Sequence, residues 1–138
     1  MRKTLFLFMV IGLVGLMCGC ELGTTALSES DISDNYNEEV KKSLKKLIST
    51  GNCKECPFVG VDISGKDLKN KDLTGADLRS ANLTGANLTE ADLRGANLNR
   101  AVLRKANLTE ADLRGADLDS AIKCKTIFPW GEDNSGCK

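Results

Sequence analysis

Histidine is missing from all 138 residues of the chain. Its absence removes the commonest general base and the commonest zinc ligand, and no cluster of the other catalytic residue types stands in for it. The composition therefore points away from an enzyme, and neither a metal nor another cofactor is expected. Net charge is missing as well, because 19 Lys and Arg balance 19 Asp and Glu. Such a chain offers no broad attraction to nucleic acid. The sequence also lacks an apolar run long enough for a comfortable transmembrane helix: Leu5 to Met17 spans thirteen residues, where about twenty are needed.

What the sequence has instead is a period. From Val61 to Ser120 it reads as twelve pentads, each with Leu or Ile at its centre: Ile63, Leu68, Leu73, Leu78, Leu83, Leu88, Leu93, Leu98, Leu103, Leu108, Leu113 and Leu118. On an α-helix, positions five apart drift by about 140° per step and leave no buried stripe. On an uninterrupted strand an odd period sends alternate leucines to opposite faces. A short extended piece and a corner in each pentad satisfies both constraints, with Ala and Leu pointing inward and the Asp or Asn between them pointing out. A second period supplies the circuit. ANLTEADLRG at Ala86 to Gly95 recurs at Ala106 to Gly115, and Gly75, Gly95 and Gly115 stand twenty apart, so four pentads make one turn. A twenty-residue duplication would give the same repeat without fixing the geometry. Glycine suits a corner with positive φ, whereas Glu90 and Glu110 imply a column of corners that needs none.

These pentads closely resemble the A(D/N)LXX consensus of the pentapeptide-repeat family. The resemblance implies an all-β solenoid: a right-handed quadrilateral β-helix, here of about three coils, preceded by a capping α-helix. Three coils at the strand spacing of ~4.8 Å make a rod about 15 Å long. So short a repeat array depends on its inter-coil hydrogen bonds and end caps.

Ahead of the repeats, residues 1–19 have the layout of a signal peptide: two basic residues, the apolar run, then small residues. Met17-Cys18-Gly19-Cys20 resembles a bacterial lipobox, which implies cleavage after Gly19 and lipidation of Cys20. An ordinary signal-peptidase cut near Cys20 is the alternative. Residues 20–33 read as a flexible acidic tether. A helix follows over Asp34 to Thr50 within a capping segment, 34–52, with Ser33 or Asp34 as N-cap and Gly51 as terminator. Tyr36, Val40, Leu44, Leu47 and Ile48 share its apolar face and Lys41, Lys42, Lys45 and Lys46 much of the other, so it suits a lid on the first coil better than a membrane-surface helix.

The repeat region is taken as 53–125 and a closing segment as 126–138. Cys53 and Cys56 sit at the first junction, where a short disulfide is the preferred assignment. A thioredoxin-like βαβ context is missing, and a zinc site would need Cys124 and Cys137 from the far end of the rod. Cys124 and Cys137 pair in the same reading and close a loop of fourteen residues. Exported members of the family often begin with a similar Cys-x-x-Cys, and the closing segment resembles their carboxyl-terminal cap, with Phe128 and Trp130 over the last leucines. Lys66 and Lys71 occupy inward positions and are expected to snorkel past an open first coil. On the walls, Asp72, Asp92 and Asp112 form a ladder beside Arg94 and Arg114, with Glu90 and Glu110 near those arginines. Val102 is an isolated apolar residue at an Asp/Asn position.

The leading functional expectation is a non-catalytic scaffold of the bacterial envelope, lipid-tethered to a membrane and touching an unidentified protein or surface, as a monomer or a weak end-to-end dimer. Cytoplasmic relatives that resemble duplex DNA and bind DNA gyrase imply a second reading, which the export signal and balanced charge oppose. The third is a thiol-disulfide protein using Cys53 and Cys56.

Overall fold

The computed structural model describes residues 24–138. The signal segment and the lipidation site Cys20 lie outside the described residues. Regular strand is scarce. The architecture is carried by single parallel bridges between residues twenty apart, from Asn52↔Asp72 through Asp62↔Asn82, Asp72↔Asp92 and Asn82↔Val102 to Asn107↔Ile127. They form four columns. Each bridge aligns one pentad with the pentad four later, so the chain returns over itself once per twenty residues.

Why the pentads bend is visible in their hydrogen bonds. The N–H of each first residue reaches back to the carbonyl of the leucine three before it, as in Ala76 to Leu73 at 3.0 Å and Ala96 to Leu93 at 3.0 Å. That closes a turn whose third residue takes positive φ. All fifteen pentad-final residues from Glu55 to Lys125 do so, with Glu90 at 57° and Glu110 at 60° beside Gly75 at 66°. The expectation that glutamate marks a different kind of corner is corrected. The inter-coil bonds on both sides, such as Leu88 N–H to Asn107 O at 2.7 Å and Asn87 N–H to Lys66 O at 2.9 Å, fix the chain path. The corner φ follows from that path, and the cost of about 1 to 2 kcal/mol per non-glycine residue is offset by the ladder.

Inside lie Ile63 and the leucines from Leu68 to Leu108, all at 0 or 1% exposure, with the alanines Ala76 to Ala106 between them. Leu113 and Leu118 are only partly buried against this core, a correction to the twelve-residue core ladder. Among the described residues no further coil covers them. The closing hairpin, β3 at Thr126–Phe128 and β4 at Gly131–Asp133, instead continues the column of Asn107. Gly136 passes close to Lys123 and Ile122, in the next column. Phe128 is buried, and Trp130 stacks on it at 4.9 Å yet stays 68% exposed rather than covering the leucines.

At the other end, α1 runs over Glu38–Thr50, not from Asp34. Asn37 is the N-cap, its side chain accepting from Val40 N–H, and Gly51 ends the helix at φ 71°. Ser33 and Asp34 lose that role because Tyr36 is held elsewhere, its hydroxyl accepting the N–H of Asp62 at 2.9 Å. Val40, Leu44 and Leu47 are buried in the same cluster as Cys53, Phe58 and Leu68. Residues 24–33 are not a free tether, which is a further correction. β1, Thr25–Ala26, pairs in parallel with β2, Lys66–Asp67. The Lys66 ammonium sits 2.7 Å from the Asp31 carboxylate and 3.1 Å from the Thr25 hydroxyl. A lysine in place of alanine at the open first coil thus anchors the segment before it.

Disulfides join Cys53 to Cys56 and Cys124 to Cys137. In the loop-entropy account, removing the second by Cys124→Ser with Cys137→Ser is expected to cost about 3 kcal/mol, against about 2 for the shorter loop of Cys53→Ser with Cys56→Ser. Urea denaturation of the two double variants checks the order.

Candidate functional site

The walls consist of what the pentads point outward, beginning with the Asp or Asn at each second position. Its Oδ1 accepts the backbone N–H two residues on, for example Asp72 from Thr74 at 3.1 Å and Asn97 from Asn99 at 3.0 Å. These Asx turns hold the corner and explain the residue type, since Ala has no acceptor and a Ser hydroxyl makes the same turn more weakly. The fourth residue then fills the same acceptor. Thr74, Thr84 and Thr89 hydroxyls donate to it at 2.7 Å, while Arg79 and Arg94 lay their guanidinium groups along Asp77 and Asp92. Much of the wall's polarity is spent within single pentads.

Those ion pairs set the acid–base behaviour of the surface. Hydrogen bonding from Arg94 pushes the Asp92 carboxyl down to about 2 from 3.8. Arg79, Arg114 and Lys66 lower Asp77, Asp112 and Asp31 in the same sense. Because each folded-state value is depressed, the stabilisation is present above 3.8, the unfolded value, and is lost as pH falls towards 2. Thermal melts followed by circular dichroism are expected to be flat near neutrality and to drop across that acid window. Asp92→Asn should remove part of the drop.

Glu90, expected near Arg94 and Arg114, has its carboxylate 3.0 Å from the Lys69 ammonium. The Asp72, Asp92, Asp112 ladder does form, with Arg94 3.7 Å from Asp112 one coil on. Lys71 is half-buried beside Gly51. Val102 bridges Ile122 in its column, so it has an apolar neighbour.

One wall differs from the others, and residue type alone did not single it out. Its pentads Cys56 to Gly60, Ala76 to Ser80 and Ala96 to Arg100 stack into a shallow depression of about 450 Å³ lined by Val59, Arg79, Ser80, Asn97, Asn99 and Arg100. Val59 is 48% exposed. Arg79 is engaged by Asp77, but among the described residues the Arg100 guanidinium and the side-chain amides of Asn97 and Asn99 donate to nothing. The only signal in the sequence was that Asn97 is followed by Asn99, where a Thr or Arg would have filled the acceptor.

The two cysteine pairs are brought to opposite ends of the rod and face no shared pocket. Among the described residues no group of His, Cys, Asp and Glu is arranged to hold a metal ion, and no helix is long and apolar enough to cross a membrane.

The bridged columns, the sealed aliphatic interior and the Asx corners define a coiled repeat protein with four walls, and two segments, 56–95 and 86–122, match the pentapeptide-repeat family model in eight copies. The chain belongs to the pentapeptide-repeat family, whose fold is the right-handed quadrilateral β-helix and whose members are in general structural or interaction proteins. It is 39% identical to HetL, a pentapeptide repeat protein involved in heterocyst differentiation regulation in the cyanobacterium Nostoc sp. strain PCC 7120, over 58% of this chain and 41% of HetL, with a TM-score of 0.35. A pentapeptide repeat protein of the Arabidopsis thaliana thylakoid lumen is 30% identical over 54% of this chain and 59% of its own, at a TM-score of 0.31. A second Nostoc PCC 7120 pentapeptide repeat protein is 34% identical over 58% and 74%, at a TM-score of 0.36. Membership rests on the repeats and the sequence identity. The chain spans less than two thirds of the first two relatives. No curated protein matches it.

Proposed function

We propose that the protein is a non-catalytic scaffold, exported and held to a membrane of the bacterial envelope by a lipid on Cys20, that docks another protein on the wall of Val59, Asn97, Asn99 and Arg100. In this reading α1 is the lid of the first coil and the hairpin with its disulfide closes the last. The observation that carries the docking site is the combination, in one depression, of an exposed valine with donors that no neighbour satisfies. Such a patch suits a partner segment that offers an apolar side chain and backbone or carboxylate oxygens.

Photo-cross-linkers placed at Val59 or Asn99 in cells making the full chain should capture one discrete partner, while the same groups at Arg104 or Thr84 on another wall capture none. Equal yields from all walls would sink the docking site. Lipid export is tested separately, by mass spectrometry of the mature amino terminus.

Mimicry of duplex DNA finds little support on these walls. A phosphate-like surface needs unbroken acid, and here Arg79, Arg94 and Arg114 each neutralise the aspartate two residues before them. No inhibition of gyrase supercoiling is expected.

A further inference from the structure

The carboxyl-terminal end of the rod is covered on two of its four sides. The last circuit passes through Asp112, Asp117, Ile122 and Ile127, one in each column. β4 pairs with β3 over the side of Ile127, and the chain beyond it returns over the side of Ile122, where Asn134 accepts the N–H of Lys125 at 3.1 Å and Cys137 is bonded to Cys124. Among the described residues no strand bridges the sides of Asp112 and Asp117 from above. The end face is thus a step, one strand layer of ~4.8 Å high, with the half-covered Leu113 and Leu118 on its low side.

Each half of the step lacks what the other offers. A lower circuit meets the next through two kinds of bond: the leucine N–H donates to the carbonyl nineteen residues on, as Leu93 does to Asp112 at 2.9 Å, and the carbonyl of the residue two before it accepts the N–H twenty-one residues on, as Ala91 does from Asp112 at 3.0 Å. On the low half, among the described residues, the N–H groups of Leu113 and Leu118 and the carbonyls of Ala111 and Ala116 have no such partner. β4 carries the matching surplus. Ile127 spends its N–H on Ala106 and its carbonyl on Leu108 in the circuit below, so Glu132, which faces it across the hairpin, turns its own N–H and carbonyl to the outer edge. Glu132 follows Leu113 by nineteen residues and Ala111 by twenty-one. A further circuit would have set it over them, and the hairpin folds it back over the side of Ile127 instead.

We propose that this end is the interface of a dimer of two copies of the chain, related by a two-fold axis along the diagonal through the corners of Ser120 and Trp130. That rotation exchanges the side of Asp112 with the side of Ile127, and the side of Asp117 with the side of Ile122. The tall half of each protomer then fills the low half of the other. The strand of Asp112 in one protomer runs parallel to β4 of the other, as in every inter-coil bridge, and Glu132 makes the two bonds that Leu113 and Ala111 lack. Trp130, 68% exposed on Phe128, comes to the axis against its counterpart. Arg114 stands to Glu132 as Arg94 stands to Asp112, which it reaches at 3.7 Å one circuit on, while Asp117 comes to the corner of Lys125. A foreign strand satisfies the low half alone, whereas a second copy satisfies both halves and the open edge of β4 together. The contact is isologous, so it closes at two copies.

The full chain in non-ionic micelles, with micelles in large excess over protein, should double its protein mass by light scattering as concentration rises. Amide exchange followed by NMR reads the interface itself. The N–H groups of Leu113, Leu118 and Glu132 should exchange about ten-fold more slowly where dimer outnumbers monomer ten to one. Glu132→Pro removes the outward N–H of β4 and none that the hairpin uses, and should leave a monomer with an unchanged far-ultraviolet spectrum. Arg114→Glu should weaken the dimer and Arg114→Glu with Glu132→Arg should restore it, a rescue that does not depend on the proline variant folding. A chain that stays monomeric at every concentration, or a dimer in which those amides exchange at the monomer's rate, would overturn the inference.

Discussion

Leu88→Ala is expected to lower stability by about 2 to 5 kcal/mol, the range for deleting a sealed aliphatic side chain that leaves a cavity. The site favours the upper part of that range. Leu88 has no exposure, and its column is held from both sides by the bridges Asp67↔Asn87 and Asn87↔Asn107. A backbone pinned above and below cannot collapse into the void. Leu118→Ala is the internal control. Leu118 is only partly buried and no coil covers it, so its loss should cost well under half as much. Urea unfolding of both variants, with equal slopes, reads the difference. Equal costs would mean that the interior is not the continuous ladder described here.

Leu47→Asp should be at least as damaging, at about 4 kcal/mol or more, since it removes a buried aliphatic group and puts a carboxylate into an apolar cluster. Leu47 is fully buried with Leu44 against Phe58 and Leu68. If α1 is the lid of the solenoid, the variant exposes the first coil, binds hydrophobic dyes and melts as a whole at lower temperature. Were helical signal lost while the repeats melted at the wild-type temperature, α1 would be an appendage. Lys46→Ala, on the exposed face of the same helix, should leave the melt almost unchanged.

The buried pattern was legible because it is periodic. Ala and Leu two apart, followed by a corner, admit one coil, and the twenty-residue recurrence of ANLTEADLRG set its length. The corners were less legible. Glycine at Gly75 suggested left-handed backbone, but Glu90, Arg100 and Lys105 adopt it too, because neighbouring coils dictate the path and local preference is the smaller quantity. Docking of residues 24–33 was hidden for another reason. Lys66 looked like a fault in the alanine column, and nothing local reveals that Asp31 is within reach of it. The end leucines failed by position: Leu113 and Leu118 keep the pattern but have no successor. The docking wall was nearly silent, since a missing Thr or Arg after Asn97 matters only once Val59 and Arg100 stack beside it.

A square spiral keeps its reading frame in an unusual way. Adding a whole circuit of twenty residues would lengthen the rod and leave every side in place, whereas an extra pentad would move all later residues onto the adjacent side, so that Arg100 would leave Val59. An insertion that is no multiple of five would turn the leucines outward. Growth of such a gene by copying is therefore tolerated in steps of a full lap, and partner recognition constrains slippage more tightly than folding does.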